Sequence, residues 1–257
     1  MPNSLTLSMG TLFAFLLVLA RVSGVLVFVP MPGARSLPEP VRAAFVLAFT
    51  LALYSRWPAI DANAVTAGTI LVWVAAEAAL GIAIGVAVAV VLEAFSVAAQ
   101  VLGLQAGYAY ASTIDPNTEA DSGILVILAQ LMAGLLFFTL GLDREMLRLF
   151  ALSLERVPVG TFLPTMRSAV EVIRLGTNLF TAGMRLALPV VALLVMVDVA
   201  LALLGRVNQQ LQLISLAFPM KMLVALAVIG WTAAMAPRLM MELSGVAWSA
   251  VRRLAGM

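Results

Sequence analysis

The stretch Val65–Leu104, VTAGTILVWVAAEAALGIAIGVAVAVVLEAFSVAAQVLGL, contains no proline, and Glu77, Glu93 and Gln100 are its only charged or amide residues. Hydrocarbon offers no partner for free backbone N–H and C=O groups, so an apolar run of this kind is read as helix. At 1.5 Å per residue, about 40 residues make a rod of about 60 Å, twice the thickness of a hydrocarbon core. The segment must tilt, break or project beyond the membrane. Within it lies Gly81-x-x-x-Gly85, flanked by Ala79, Ala83 and Ala87. Small residues at this spacing let two helix backbones approach closely, although a Gly/Ala-rich chain also produces the pattern by composition alone.

The rest of the chain has the same character. Of 257 residues 63% are hydrophobic and 11% charged, and the mean hydropathy is +1.09. Soluble domains carry roughly 45–50% apolar and ~25% charged residues. Lipid or other apolar helices must therefore solvate much of this surface. The net charge of +2 is too small for a nucleic-acid footprint. With no cysteine and no histidine, disulfides, thiolate or imidazole metal sites, and Ser-His-Asp triads are excluded. No Lys or Arg precedes the first apolar run and no A-x-A-like site follows it, so that run reads as a retained helix.

Working outward, Met9–Val29 is a first apolar segment, ended by Pro30-Met31-Pro32-Gly33 with Pro38 and Pro40. Val41–Tyr54 is a second, short for a span. Val65–Leu104 is the third, Ile124–Leu142 the fourth, Leu179–Leu204 the fifth and Leu211–Ala236 the sixth. Asp143–Arg174 is the most polar stretch and alternates charge like a solvated amphipathic segment. The expected fold is an all-α membrane protein with about six hydrophobic helical segments, some as broken or kinked hairpins, in a single polytopic domain over 1–257. If all six spanned as simple rods, nine arginines (56, 144, 148, 156, 167, 174, 238, 252, 253) would face one side and three (35, 42, 206) the other. The positive-inside rule would then put both termini in the cytoplasm.

Arg21, Glu77, Arg185, Asp198 and Lys221 lie inside apolar runs. Each would cost ~2.5–3.5 kcal/mol or more at a bilayer centre, so each should face protein or water. A proton relay would use such groups, but the chain has no histidine and no carboxylate chain, which favours buried pairing that fixes assembly. Asp198 and Lys221 lie equally far from a linker centred near Gln209 and Gln210. An antiparallel hairpin would bring them to one depth as a pair, each lowering the other's desolvation cost. The fourteen methionines fit adaptable contacts but are mostly apolar filler.

Gly107–Gly123 is polar. Asp115-Pro116-Asn117 reads as a turn, and Tyr108, Tyr110, Ser112 and Thr113 fit a tight pore without carrying charge. Glycines at both ends allow the φ changes a moving segment needs, while Glu119 and Asp121 have no basic neighbour in the loop. From the sequence alone, a plain connection competes with a gate.

Three groups of residues give the chain its likeness to a family. They are Arg21-x-x-Gly24 with Pro30 and Pro40-x-Arg42; Gln105-Ala106-Gly107 through Asp115-Pro116; and Asp198 through Gly205-Arg206 with Phe218-Pro219-Met220-Lys221. In order and spacing the chain resembles the FliR family of type III export-gate membrane proteins. One departure stands in Arg206-Val207-Asn208-Gln209-Gln210, where Gln209 occupies a position the family usually gives to proline. The resemblance implies a core subunit of the flagellar export gate in the inner membrane at the basal body. It would be assembled with FliP-like and FliQ-like subunits and an FlhB-like one, with exported flagellar proteins as cargo and no cofactor. It also implies that the loop Gly107–Ser122 is a pore plug. A secondary transporter or ion channel is the alternative, but the internal repeats it should show are not found. An intramembrane enzyme lacks a catalytic constellation, and no G-x-x-x-x-G-K loop occurs.

Overall fold

A computed structural model describes residues 8–28, 38–61, 65–107, 123–207 and 213–256. Within them the chain is helical and contains no strand. The helices are α1 (Met9–Phe28), α2 (Glu39–Ala52), α3 (Ala67–Ala106), α4 (Ile124–Thr139), α5 (Leu142–Arg156), α6 (Met166–Val207), α7 (Leu213–Ala233) and α8 (Ala236–Ala255). Among the described residues three helices, α1, α3 and α6, are long and apolar enough to cross a membrane, and α4 with α5 passes the same test as a broken pair. The protein is an all-α integral membrane protein.

Several boundaries differ from the hydropathy reading for identifiable reasons. At 14 residues, or about 21 Å, α2 is too short to cross a ~30 Å core. The arginine count across six rods therefore loses its premise. The polar stretch after Asp143 is not simply solvated, because α5 buries Leu142, Met146, Leu149, Phe150 and Leu154, a stripe at helical spacing. Its start carries Asp143 and Glu145 and its end Arg156, each sign matching the helix dipole. Gly141, at φ +71°, separates α4 from α5 in a backbone conformation that glycine adopts without strain. The helix α6 begins at Met166, well before the apolar stretch, and keeps Pro189 inside it. An eighth helix, α8, has no hydropathy signature because only one stripe of it is apolar. The proline-rich stretch Pro30–Pro40 falls partly, and the linker around Gln209 and Gln210 entirely, outside the described residues.

The chain divides into two compact units. The first comprises Met1–Ala89, Gly141–Leu175 and Gly245–Met257; the second comprises Val90–Leu140 and Gly176–Ser244.

In the first unit α1 and α3 run parallel in close contact. Gly24 packs against Ala78–Ile82, Gly81 against Arg21, and Gly85 against Val25 and Phe28. Positions advance together along both helices, which fixes the parallel sense and makes α2 part of the return. A Cβ on Gly81 would stand 2.2 Å from the Arg21 carbonyl oxygen, and one on Gly85 2.7 Å from that of Val25. The Gly81-x-x-x-Gly85 pattern therefore serves a contact inside this chain, which dispersion between close backbones stabilises.

The second unit has a core of small and branched side chains: Ala98, Ala99, Leu102, Ala106, Leu125, Val126, Ala187, Val190, Leu194 and Ala225. Alanine on three helices allows close packing. Gly183 of α6 continues the pattern against Val97 and Ala94 of α3.

Candidate functional site

In each unit, among the described residues, a polar node interrupts the apolar packing between long helices. In the first, Arg21 and Glu77 are both fully buried. Arg21 Nε donates to Glu77 Oε2 at 2.5 Å, and Arg21 Nη1 donates to the carbonyls of Ser153 (2.8 Å) and Val157 (3.1 Å). Those carbonyls end α5, so the guanidinium both caps the helix and faces the negative end of its dipole. The other Glu77 oxygen accepts the Gly160 N–H at 2.8 Å. Gly160 has φ +88°, which lets the turn after α5 aim its amide inward. One ion pair thus ties together α1, α3, the end of α5 and the following turn. Burial of these opposite charges is offset because they face each other and also bond backbone groups; Arg21 Nη2 has no partner among the described residues. So enclosed and so fully tied to backbone, the node is suited to holding shape.

In the second unit Lys221 Nζ of α7 donates to Asp198 Oδ1 of α6 at 2.8 Å. Gln105 Nε2 of α3 donates to Asp198 Oδ2 at 3.3 Å. The Asp198 side chain is 42% exposed and that of Lys221 14%, so this node opens on the surface. It lies at the end of α3. Two residues beyond Gln105 the helix stops at Gly107, at φ +87°, and α4 begins at Ile124. Ala106 on one side of the loop and Leu125 and Val126 on the other belong to one core. Residues 108–122, hence Tyr108, Tyr110, Ser112, Thr113, Asp115, Pro116 and Asn117, lie outside the described residues; both roots of their loop are anchored in this unit.

Arg185, also on α6, is exposed, and no hydrogen bond or ion pair engages it among the described residues. The described residues contain no cluster of three or more His, Cys, Asp or Glu able to hold a metal ion.

Residues 12–245 match the family described as Bacterial export proteins, family 1. The chain belongs to that family. Among relatives of this export protein is the flagellar biosynthetic protein FliR of Escherichia coli K12, 28% identical over 82% of this chain and 80% of its own length. FliR of Bacillus subtilis 168 is 25% identical over 82% of this chain and 83% of the relative. FliR of Caulobacter vibrioides is 22% identical over 83% and 85%.

Two of the motifs behind the resemblance meet in the second unit of this export protein: Gln105, from the second motif, donates to Asp198, from the third, which also pairs with Lys221. Sequence reasoning treated Arg21 and Glu77 as separate charges and did not name Gln105 as a partner. A usable signal existed: Arg21 stands one turn before Gly24, and Glu77 one turn before Gly81. Two parallel helices packed through those glycines put the charges side by side.

Proposed function

We propose that this component of the flagellar export apparatus is a wall subunit of the export gate, lining the channel through which flagellar proteins cross the inner membrane. The family match over 12–245 carries the reading. Its assembly partners are FliP-like, FliQ-like and FlhB-like subunits in the basal body. Its action is non-enzymatic: it supplies shape, a membrane-embedded wall and a closure, and the energy for export comes from elsewhere. In this reading the buried Arg21–Glu77 node keeps the first unit rigid. The Gln105–Asp198–Lys221 node steadies the root of the loop over 108–122, which acts as the plug. Anchorage of both loop roots in one core supports that role, because a gate needs a movable segment on fixed posts.

A clean deletion tests the function. The expected result is loss of motility and of filament secretion, restored by the gene in trans. Normal filaments in the deletion strain would remove the export reading, and loss of uptake of one solute would favour a transporter instead.

A further inference from the structure

The first unit contains a feature that neither the packing nor the export reading uses. A groove of about 610 Å³ opens between the start of α6 and the end of α8, lined by Met166, Arg167, Val170, Glu171, Arg174 and Arg253. Three arginines face it against one carboxylate. The Glu171 side chain is 6% exposed and holds two of them: Arg174 Nη1 reaches Oε1 at 2.9 Å, and Arg253 Nε reaches Oε2 at 3.2 Å. Arg253 Nη1 also donates to Ser249 Oγ at 3.3 Å. Each guanidinium carries five N–H donors, so these contacts orient Arg174 and Arg253 yet leave donors for a further acceptor. Both arginines are more than half exposed. Arg167 has no hydrogen bond or ion pair among the described residues. The pattern is a positively charged, partly preorganised fork with a buried carboxylate as its brace.

The surroundings are apolar. Met166, Val170 and Ile173 are exposed on the same turns of α6. Arg174 precedes the apolar stretch starting at Leu179 by five residues, about 7.5 Å of helical rise. With that stretch crossing the membrane, Arg174 would stand near headgroup level. Soluble anions need no apolar neighbours, whereas a lipid brings a phosphate and acyl chains together.

We propose that this groove binds the phosphate headgroup of an anionic phospholipid, with Arg167, Arg174 and Arg253 on the phosphate oxygens and Met166, Val170 and Ile173 against the acyl chains. Arginine suits the task because its planar fork meets phosphate bidentately, and basic pockets beside membrane helices take such headgroups. A two-phosphate headgroup matches the net charge of +2 from three arginines and one glutamate. The site would anchor the amphipathic start of α6 at the membrane surface.

Native mass spectrometry of the full chain in detergent, titrated with cardiolipin, phosphatidylglycerol or phosphatidylcholine of equal acyl length, tests the proposal. Anionic lipid should bind at least about tenfold more tightly than phosphatidylcholine. Arg167→Gln, which disturbs no contact of Glu171, should weaken anionic binding about fivefold, and Arg167→Gln with Arg174→Gln about 25-fold. Helix content and melting of the single variant should match the parent, which separates binding from folding. Equal affinity for phosphatidylcholine, or unchanged binding in both variants, would overturn the proposal. So would displacement of cardiolipin by millimolar inorganic phosphate, which marks a site for the free anion. Displacement by a micromolar acidic peptide would assign the groove to a protein partner and likewise overturn it.

Discussion

Replacing Glu77 by glutamine keeps the size of the side chain and removes its charge. The magnitude follows from the geometry. In the parent, the Glu77 carboxylate faces a fully buried guanidinium at 2.5 Å and accepts the Gly160 amide at 2.8 Å. A glutamine amide can satisfy one of these two donors through its oxygen; toward the other it turns an NH2 group. Arg21 keeps its two α5 carbonyls but becomes a buried charge without a counter-ion. Removing one partner of a buried pair costs about 3–5 kcal/mol. Partners found in the membrane-embedded unfolded state pull the figure toward the lower end, so about 3 kcal/mol is expected, roughly a hundredfold in the folding equilibrium. Asp198→Asn provides the control. It also breaks an ion pair, but at an acid that is 42% exposed, where the expected cost is about 1 kcal/mol or less. The assay is denaturant unfolding of the purified protein in detergent. Tryptophan fluorescence is the signal, because the Trp73 ring lies 3.5 Å from the Cβ position of Gly160 and reports on this turn. Removing both charges, Arg21→Met with Glu77→Leu, should recover part of the loss. Equal midpoints for Glu77→Gln and the parent, or a larger loss from Asp198→Asn, would refute the reasoning from burial.

Further expectations follow from the same geometry. Gly81→Leu should prevent close packing of α1 on α3, since its Cβ would meet the Arg21 carbonyl oxygen at 2.2 Å; protein abundance in membranes should fall several-fold. Gly103→Ala, where a Cβ meets nothing within 4 Å, should be neutral or stabilising by up to about 1 kcal/mol, read as a raised unfolding midpoint. Reversing Asp198 to Lys and Lys221 to Asp together should restore complex assembly, scored by co-purification, better than either reversal alone. Deleting Tyr108–Thr118 should leave an assembled complex that leaks small ions, measured as conductance or dye flux; unchanged permeability would make the loop a connector.

The sequence by itself determined the membrane class and the helical fold, because composition and uninterrupted apolar length depend on local chemistry alone. The over-long third helix was legible for that reason. The spacing of Asp198 and Lys221 about a short linker pointed to their pairing, since helices joined by few residues have few registers open to them, and their charged groups lie 2.8 Å apart. What the tertiary structure alone decided depends on contacts distant in the chain. Arg21 and Glu77 meet across 56 positions, in a parallel register set by a segment whose length as helix could not be read from hydropathy. Gly81-x-x-x-Gly85 signalled a close approach but not its partner, because a small-residue stripe fits any helix backbone. Gln105 near Asp198 and the arginine fork around Glu171 depend on the ends of separate helices converging. The amphipathic helices α5 and α8 were muted for a related reason: only one stripe of each is apolar, and which way that stripe faces is fixed by packing.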